Sequence, residues 1–133
     1  MILVDSSVWI DYFRGAITAQ TDCLDALLGA EPVLMGDLIL VEVLQGLSNE
    51  RDVRQVRKFL APLETIELCG ADIAVQAAQH CRQLRTLGIT VRKTIDTVIA
   101  TCCIARGHTL LHDNRDFDAF AEHLGLRTIA AAA

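Results

Sequence analysis

Three apolar residues in a row, Ile2-Leu3-Val4, with no polar residue alternating among them, constrain this chain more than any other feature. A strand that faces water on one side alternates apolar with polar. An unbroken run fits a strand covered on both faces, as in a parallel sheet between layers of helices. The run stops at Asp5 and so sets a carboxylate at the carboxyl end of a buried strand, the edge where open α/β sheets bind ligands. Ser6-Ser7 then reads as a helix N-cap, with Val8, Trp9, Tyr12 and Phe13 as the apolar face behind it. Asp5 is itself a good capping residue, so cap and functional carboxylate stand as alternatives at this point.

The same alternation of short apolar runs with helical periods continues along the chain. Val33-Leu34-Met35, closed by Gly36, reads as a second strand; Thr65, Ile66 and Leu68 suggest a third, Thr109 to His112 a fourth, and Thr128-Ile129 a last one. Between them lie helical patterns. One runs from Thr18 to Leu28 before Gly29, one from an Asp37 cap to Gly46, and one from Asn49, with Val53, Val56, Phe59 and Leu60 on its face, to Pro62. Ala71 to Leu87 makes a long helix. Thr94 to Arg106 gives another, with Thr94 as its N-cap, Gly107 after its end and Ile95, Val98, Ile99 and Cys102 in helical register. Phe117, Phe120, Ala121 and Leu124 mark a final short helix before Gly125. Strands alternating with helices, without repeat or linker, predict one α/β domain over residues 1–133 with a mainly parallel sheet and helices on both faces.

With 133 residues and 52% hydrophobic content, such a domain needs no disulfide or structural metal to hold it together. The five cysteines, odd in number and without Cys-x-x-Cys spacing, read as reduced core thiols. The start carries no signal-peptide pattern and no apolar run approaches the ~18 residues of a membrane span, so the expectation is a cytoplasmic protein with no membrane partner. A net charge of −5 argues against binding nucleic acid through bulk electrostatics. It leaves room for local basic segments, Arg51, Arg54, Arg57 and Lys58 in one and Arg82, Arg85, Arg92 and Lys93 in another, each of which also reads as a solvated helix face.

The acidic residues carry the chemistry. Glu42 interrupts an apolar run, where an unpaired buried carboxylate costs several kcal/mol, so it must reach solvent, a cation or a metal. Asp96 lies in the first turn of its helix, a position the helix dipole already favours. Asp113, Asn114 and Asp116 arrive together past the fourth strand. In a parallel sheet the carboxyl ends of the strands share an edge, so Asp5, Glu42, Asp96 and the 113–116 group can converge. Such a cluster raises its own pKa values unless a cation neutralises it, and oxygen donors call for Mg2+ or Mn2+ rather than zinc. His80 has no second ligand at helical spacing and reads as structural.

Taken together, Ile2-Leu-Val-Asp-Ser-Ser-Val-Trp-Ile10, Glu42 in Leu40-Val-Glu-Val-Leu44, Asp96 in Ile95-Asp-Thr-Val-Ile-Ala100, and Leu111-His-Asp-Asn-Arg-Asp-Phe117 resemble the PIN-domain ribonucleases, and within them the VapC-type toxins of bacterial toxin–antitoxin pairs. The likeness spans nearly the whole chain. It implies a PIN-like three-layer sandwich around a sheet of four to five strands, and a metal-dependent endoribonuclease whose first three acidic ligands are Asp5, Glu42 and Asp96. For the fourth the order is Asp116, then Asn114, then Asp113. Ser7 matches a small hydroxyl residue that bonds a carboxylate or a metal-bound water. The resemblance further implies Mg2+ or Mn2+ as cofactor, structured RNA such as tRNA or a ribosomal RNA loop as substrate, a VapB-type antitoxin as partner, and a homodimer. Arg92, Lys93, Arg54 and Arg57 are the candidates to hold RNA phosphates.

Two other classes compete. Phosphatases with an aspartyl nucleophile also place Asp after a first strand, but those of the haloacid dehalogenase kind want an acid two positions later, where this chain has Ser7. A catalytically weak module that acts by binding a protein is the other.

Overall fold

Five short strands build the sheet: β1 (Ile2–Val4), β2 (Val33–Gly36), β3 (Glu64–Ile66), β4 (Thr109–Leu111) and β5 (Arg127–Thr128). In the computed structural model, which describes residues 1–129, their order is β3-β2-β1-β4-β5 and every neighbouring pair is parallel. The alanine tail from Ala130 lies outside the described residues. Around the sheet run α1 (Ser6–Phe13), α2 (Ala19–Leu27), α3 (Asp37–Gln45), α4 (Glu50–Leu60), α5 (Ala71–Thr86), α6 (Thr94–Arg106), a 3-10 turn (Arg115–Phe117) and α7 (Asp118–Leu124).

Crossovers between parallel strands are right-handed, and that sorts the helices into layers. The steps from β1 to β2 and from β2 to β3 go one way and carry α1 to α4; those from β3 to β4 to β5 go the other way and carry α5 to α7. The helix contacts follow this division, α1 against α2 and α3, α5 against α6 and α7. Leu3, Val4, Leu34, Met35, Leu110 and Leu111 are buried along the three central strands, which explains why those runs show no polar alternation. Trp9 of α1 and Phe117 and Phe120 near the chain end fill the core.

The structure moves several predicted boundaries. β3 begins at Glu64 and ends at Ile66, short of Leu68, and as an edge strand it is mostly exposed. The N-cap of α1 is Asp5, whose side chain accepts from the Ser7 N–H, rather than the Ser6-Ser7 pair. Lys93 rather than Thr94 occupies the N-cap of α6, without a side-chain bond. Asp37 is the first residue of α3, with Gly36 before it; its Oδ1 accepts from the Leu38 N–H at 2.8 Å and the Leu68 N–H at 3.0 Å, tying the exit of β3 to the start of α3. Leu68 then packs so close to Gly36 that a Cβ there would lie 2.5 Å from Leu68 Cδ1, which explains the glycine at the end of β2. Gly107, expected after α6, caps it with φ 72°.

α6 departs most from its predicted stripe. Every residue from Asp96 to Cys103 is buried, polar ones included, because the helix is enclosed by α5, β4 and the 3-10 turn. Asp96 is thereby a carboxylate inside the protein rather than one on a helix rim.

Candidate active site

Asp5 follows β1 directly and its N–H still donates to the Leu111 carbonyl at 2.9 Å, so the ladder between β1 and β4 fixes its backbone. Its carbonyl accepts from Val8 and Trp9, opening α1. The side chain is divided. Oδ2 accepts from the Ser7 N–H at 3.2 Å and the Ser7 hydroxyl at 2.6 Å, whereas Oδ1 is buried with no hydrogen-bond partner. Cap and functional carboxylate are therefore compatible readings of one residue: one oxygen is engaged in the helix and the other is free.

The remaining groups reach the same edge through topology. α3 leaves the carboxyl end of β2 and brings half-buried Glu42 round to α1, where its Oε1 accepts from the Ser6 hydroxyl at 3.0 Å. α6 runs back towards the start of β4, so its first turn lies at the carboxyl edge of the sheet and presents Asp96 there. Past β4, the Asn114 Nδ2 donates to Asp96 Oδ2 at 3.2 Å, and the Asn114 Oδ1 accepts from the Asp116 N–H at 3.0 Å. Asp116 Oδ1 stands 3.8 Å from the exposed Arg92 guanidinium. Exposed Asp113 offers only its backbone, an N–H that reaches the Ser7 hydroxyl at 3.4 Å.

Electrostatics bind these residues into one group. Asp96 is 5% exposed, and its pKa is pushed up to about 6, first by burial and then by the Asp5 charge, with Glu42 and Asp116 adding and Lys93 opposing. Three carboxylates thus act on a fourth. Unsatisfied buried acceptors beside a crowded acid are what a cation would relieve. The donors are carboxylate and amide oxygens, which suit a hard divalent ion, and the free Asp5 Oδ1 is the oxygen that such an ion fits. Among the described residues no three His, Cys, Asp or Glu side chains close on a point as they stand. Ser7, Ser6 and Asn114 each hold one oxygen of Asp5, Glu42 and Asp96 in turn.

Beside the group opens a cleft of about 560 Å³ lined by Ser7, Arg92, Lys93, Asp113, Asn114, Arg115 and Asp116. It sets the basic pair Arg92 and Lys93 against the acidic end of β4. Arg57 lines a different hollow with Met35 and Leu40, and Arg54 is exposed on α4. Two contributors are not evident from the sequence: Ser6, which reads there as part of a cap, bonds Glu42, and Arg115, which stands among acidic neighbours, lines the cleft. His80, read as structural, bonds Thr101 through Nδ1 at 2.9 Å.

Comparison with known proteins bears on the family and the fold. The sequence matches the PIN domain over residues 2–123. It is 30% identical over 129 residues to the VapC ribonuclease Mb1587 of Mycobacterium bovis, with 96% of both chains covered. The same figures hold for ribonuclease VapC11 of Mycobacterium tuberculosis. Among solved structures, VapBC2 from Rickettsia felis bound to a promoter DNA fragment superposes with a TM-score of 0.77 at 19% identity, covering 97% of this chain and 98% of that one. FitAcB from Neisseria gonorrhoeae gives 0.71 at 19% identity, with 98% of both chains covered. At those identities the likeness speaks for the fold.

Proposed function

The chain belongs to the PIN-domain family, in its VapC branch, and from that membership we propose that it is a divalent-metal-dependent endoribonuclease, a toxin restrained by an antitoxin of the VapB type. One observation carries the reading: Asp5 and Asp96, 3% and 5% exposed, lie within each other's field at the sheet edge, and Asp5 keeps a buried oxygen without a partner. A structural role alone leaves that oxygen as a cost.

Asp5 and Asp96 would hold Mg2+ or Mn2+, with Glu42 and Asp116 completing the set directly or through water. Asn114 lies beside Asp96 with its amide nitrogen on Asp96 Oδ2 and its oxygen on the Asp116 N–H, and Asp113 contributes charge at the rim. When bound, a divalent ion supplies Lewis acidity to a water and to the phosphodiester. The protein's own residues do the rest. Ser7 and Ser6 orient Asp5 and Glu42, Asn114 orients Asp96, and the burial of Asp96 keeps bulk water from screening the group. At the cleft mouth Arg92, Lys93 and Arg115 are suited to backbone phosphates, while Arg54 and Arg57 offer a second contact region on α4. Structured RNA, such as a tRNA or a ribosomal RNA loop, is the proposed substrate, and hydrolysis leaving a 3′-hydroxyl and a 5′-phosphate is the proposed reaction.

The proposal extends to one PIN domain over the full chain, to a homodimer and to the cytoplasm. Exposed apolar side chains at Val41, Val75 and Leu87 are available for contact with a second copy, and among the described residues no helix is long and apolar enough to cross a membrane. Inhibition by the antitoxin would use a basic side chain reaching into the acidic cleft. The test is cleavage of total RNA in Mg2+ or Mn2+ by purified Asp5→Asn and Asp96→Asn proteins. Both should be inactive with cooperative melts retained; activity in both would sink the reading.

A further inference from the structure

His112 is the residue after β4, and no function assigned above uses it. Its half-buried ring lies against Phe117, centroids 4.9 Å apart and planes tilted by 56°, and Phe117 is completely buried. Its Nδ1 accepts the Asn114 N–H at 3.2 Å. Asn114 repeats the same device one step on, its Oδ1 taking the Asp116 N–H, while its Nδ2 holds Asp96. Two side-chain acceptors in tandem, each bonding the backbone two residues ahead, thus shape the turn that carries Asn114 and Asp116.

We propose that His112 is a positioning residue of the metal site: by holding the Asn114 backbone it aims the Asn114 amide at Asp96 and so sets the site's affinity for a divalent ion. The inference rests on the metal-dependent reading above. The choice of histidine has a physical reason. Asp is the common acceptor for such a turn, but it would add a charge to a group where Asp5, Glu42 and Asp116 already push on Asp96. Asn would accept without charge, yet it offers no flat apolar face to Phe117. A neutral imidazole does both, with Nδ1 as acceptor and its proton on Nε2.

Two variants separate the acceptor from the ring. His112→Phe keeps a ring on Phe117 and loses the acceptor; His112→Asn restores an acceptor near Nδ1 and loses the ring. Metal-free 15N-resolved spectra would follow the Asn114 backbone and side-chain amides, and calorimetric titration would measure Mn2+ affinity. Partners that orient a metal's ligands typically matter by about 10–100-fold, and His112 acts through one such partner, so His112→Phe should bind Mn2+ about 10-fold more weakly with displaced Asn114 amides. His112→Asn should recover most of both even if its melt is lower. Unmoved Asn114 amides in His112→Phe, unchanged Mn2+ affinity in that variant, or equal losses in both variants that track their melts, would each overturn the proposal. Wild-type protein that takes up no Mn2+ at millimolar concentration would overturn the metal reading and the affinity claim with it, an outcome distinct from wild-type binding that the Phe variant leaves unaltered.

Discussion

Asp96→Asn should make the metal-free protein more stable at neutral pH while removing its chemistry. The carboxyl is 5% exposed, and its pKa rises from 3.8 to about 6. A displacement of about two units at about 1.4 kcal/mol each makes the cost of ionising it in the folded protein about 3 kcal/mol at most. Asparagine keeps an oxygen and the side-chain volume, so a gain of about 2 kcal/mol is expected at pH 7.5, a rise in Tm of about 5–10 °C for a chain of this size. The pH dependence fixes the cause. Between about pH 4 and pH 6 the Asp96 carboxyl is more protonated in the folded protein than in the unfolded chain, so its contribution to wild-type stability falls as pH rises through that window. Near pH 3.5 Asp96 is protonated in the folded protein and mostly so in the unfolded chain, and the variant's advantage should nearly disappear. Chelator-treated samples melted by circular dichroism across pH 3.5–8 provide the assay. Saturating Mn2+ should then reverse the ranking, since at 100-fold over Kd it stabilises only the wild type, by about 2.7 kcal/mol. A variant no more stable than wild type at pH 7.5, or more stable by the same margin at pH 3.5, would refute crowding of carboxylates as the cost.

Three further outcomes follow from particular contacts. Gly36→Ala should cost about 1–3 kcal/mol in denaturant unfolding, because its Cβ meets the buried Leu68 side chain at 2.5–2.9 Å; a neutral result would mean that Leu68 yields freely. Ser6→Ala removes the hydroxyl that holds Glu42 Oε1 and should lower RNA cleavage about 10-fold with little change in melt; full activity would free Glu42 from that constraint. Charge reversal at Arg92 and Lys93, which line the cleft, should flatten the salt dependence of RNA binding more than reversal at Arg54 and Arg57 on α4. Equal slopes for the two pairs would give α4 an equal share.

The central strands were legible because burial on both faces writes itself as uninterrupted apolar runs, at Ile2 to Val4 and again at Val33 to Met35. β3 was less so: at the sheet edge it alternates weakly, and Leu68 looked like strand while it is held by the Asp37 carboxylate. Caps shifted for a related reason. Asp5, Ser6 and Ser7 can all cap a helix, and only the ladder bond from Asp5 to Leu111 decides which of them does. The proposed site residues Asp5, Glu42, Asp96, Asn114 and Asp116 stand out in the sequence as acids and amides in apolar or strand-end settings, and the structure brings them to one edge. How they are held was not recognisable, because Ser6 to Glu42 and Asn114 to Asp96 join residues 36 and 18 positions apart. Nor could the enclosure of α6 be read, since a helix covered from three sides loses the stripe by which periodicity works.

The strand order also has a consequence in time. β1 leaves the ribosome before the other four strands, but its partner on one side, β4, pairs Ile2 with Thr109, so the two halves of the acidic group are more than 100 residues apart. At about 5–20 residues per second, about 6–22 s pass between synthesis of Asp5 and of Asp116. Until then β1 can pair with β2 alone, Asp5 lacks Leu111 as its backbone partner, and Asp96 lacks Asn114. A nascent or prematurely terminated chain ending before β4 therefore carries three of the acids without the frame that aligns them. For a protein whose proposed activity would harm the cell making it, the strand order withholds the assembled acidic group until β4 has been made.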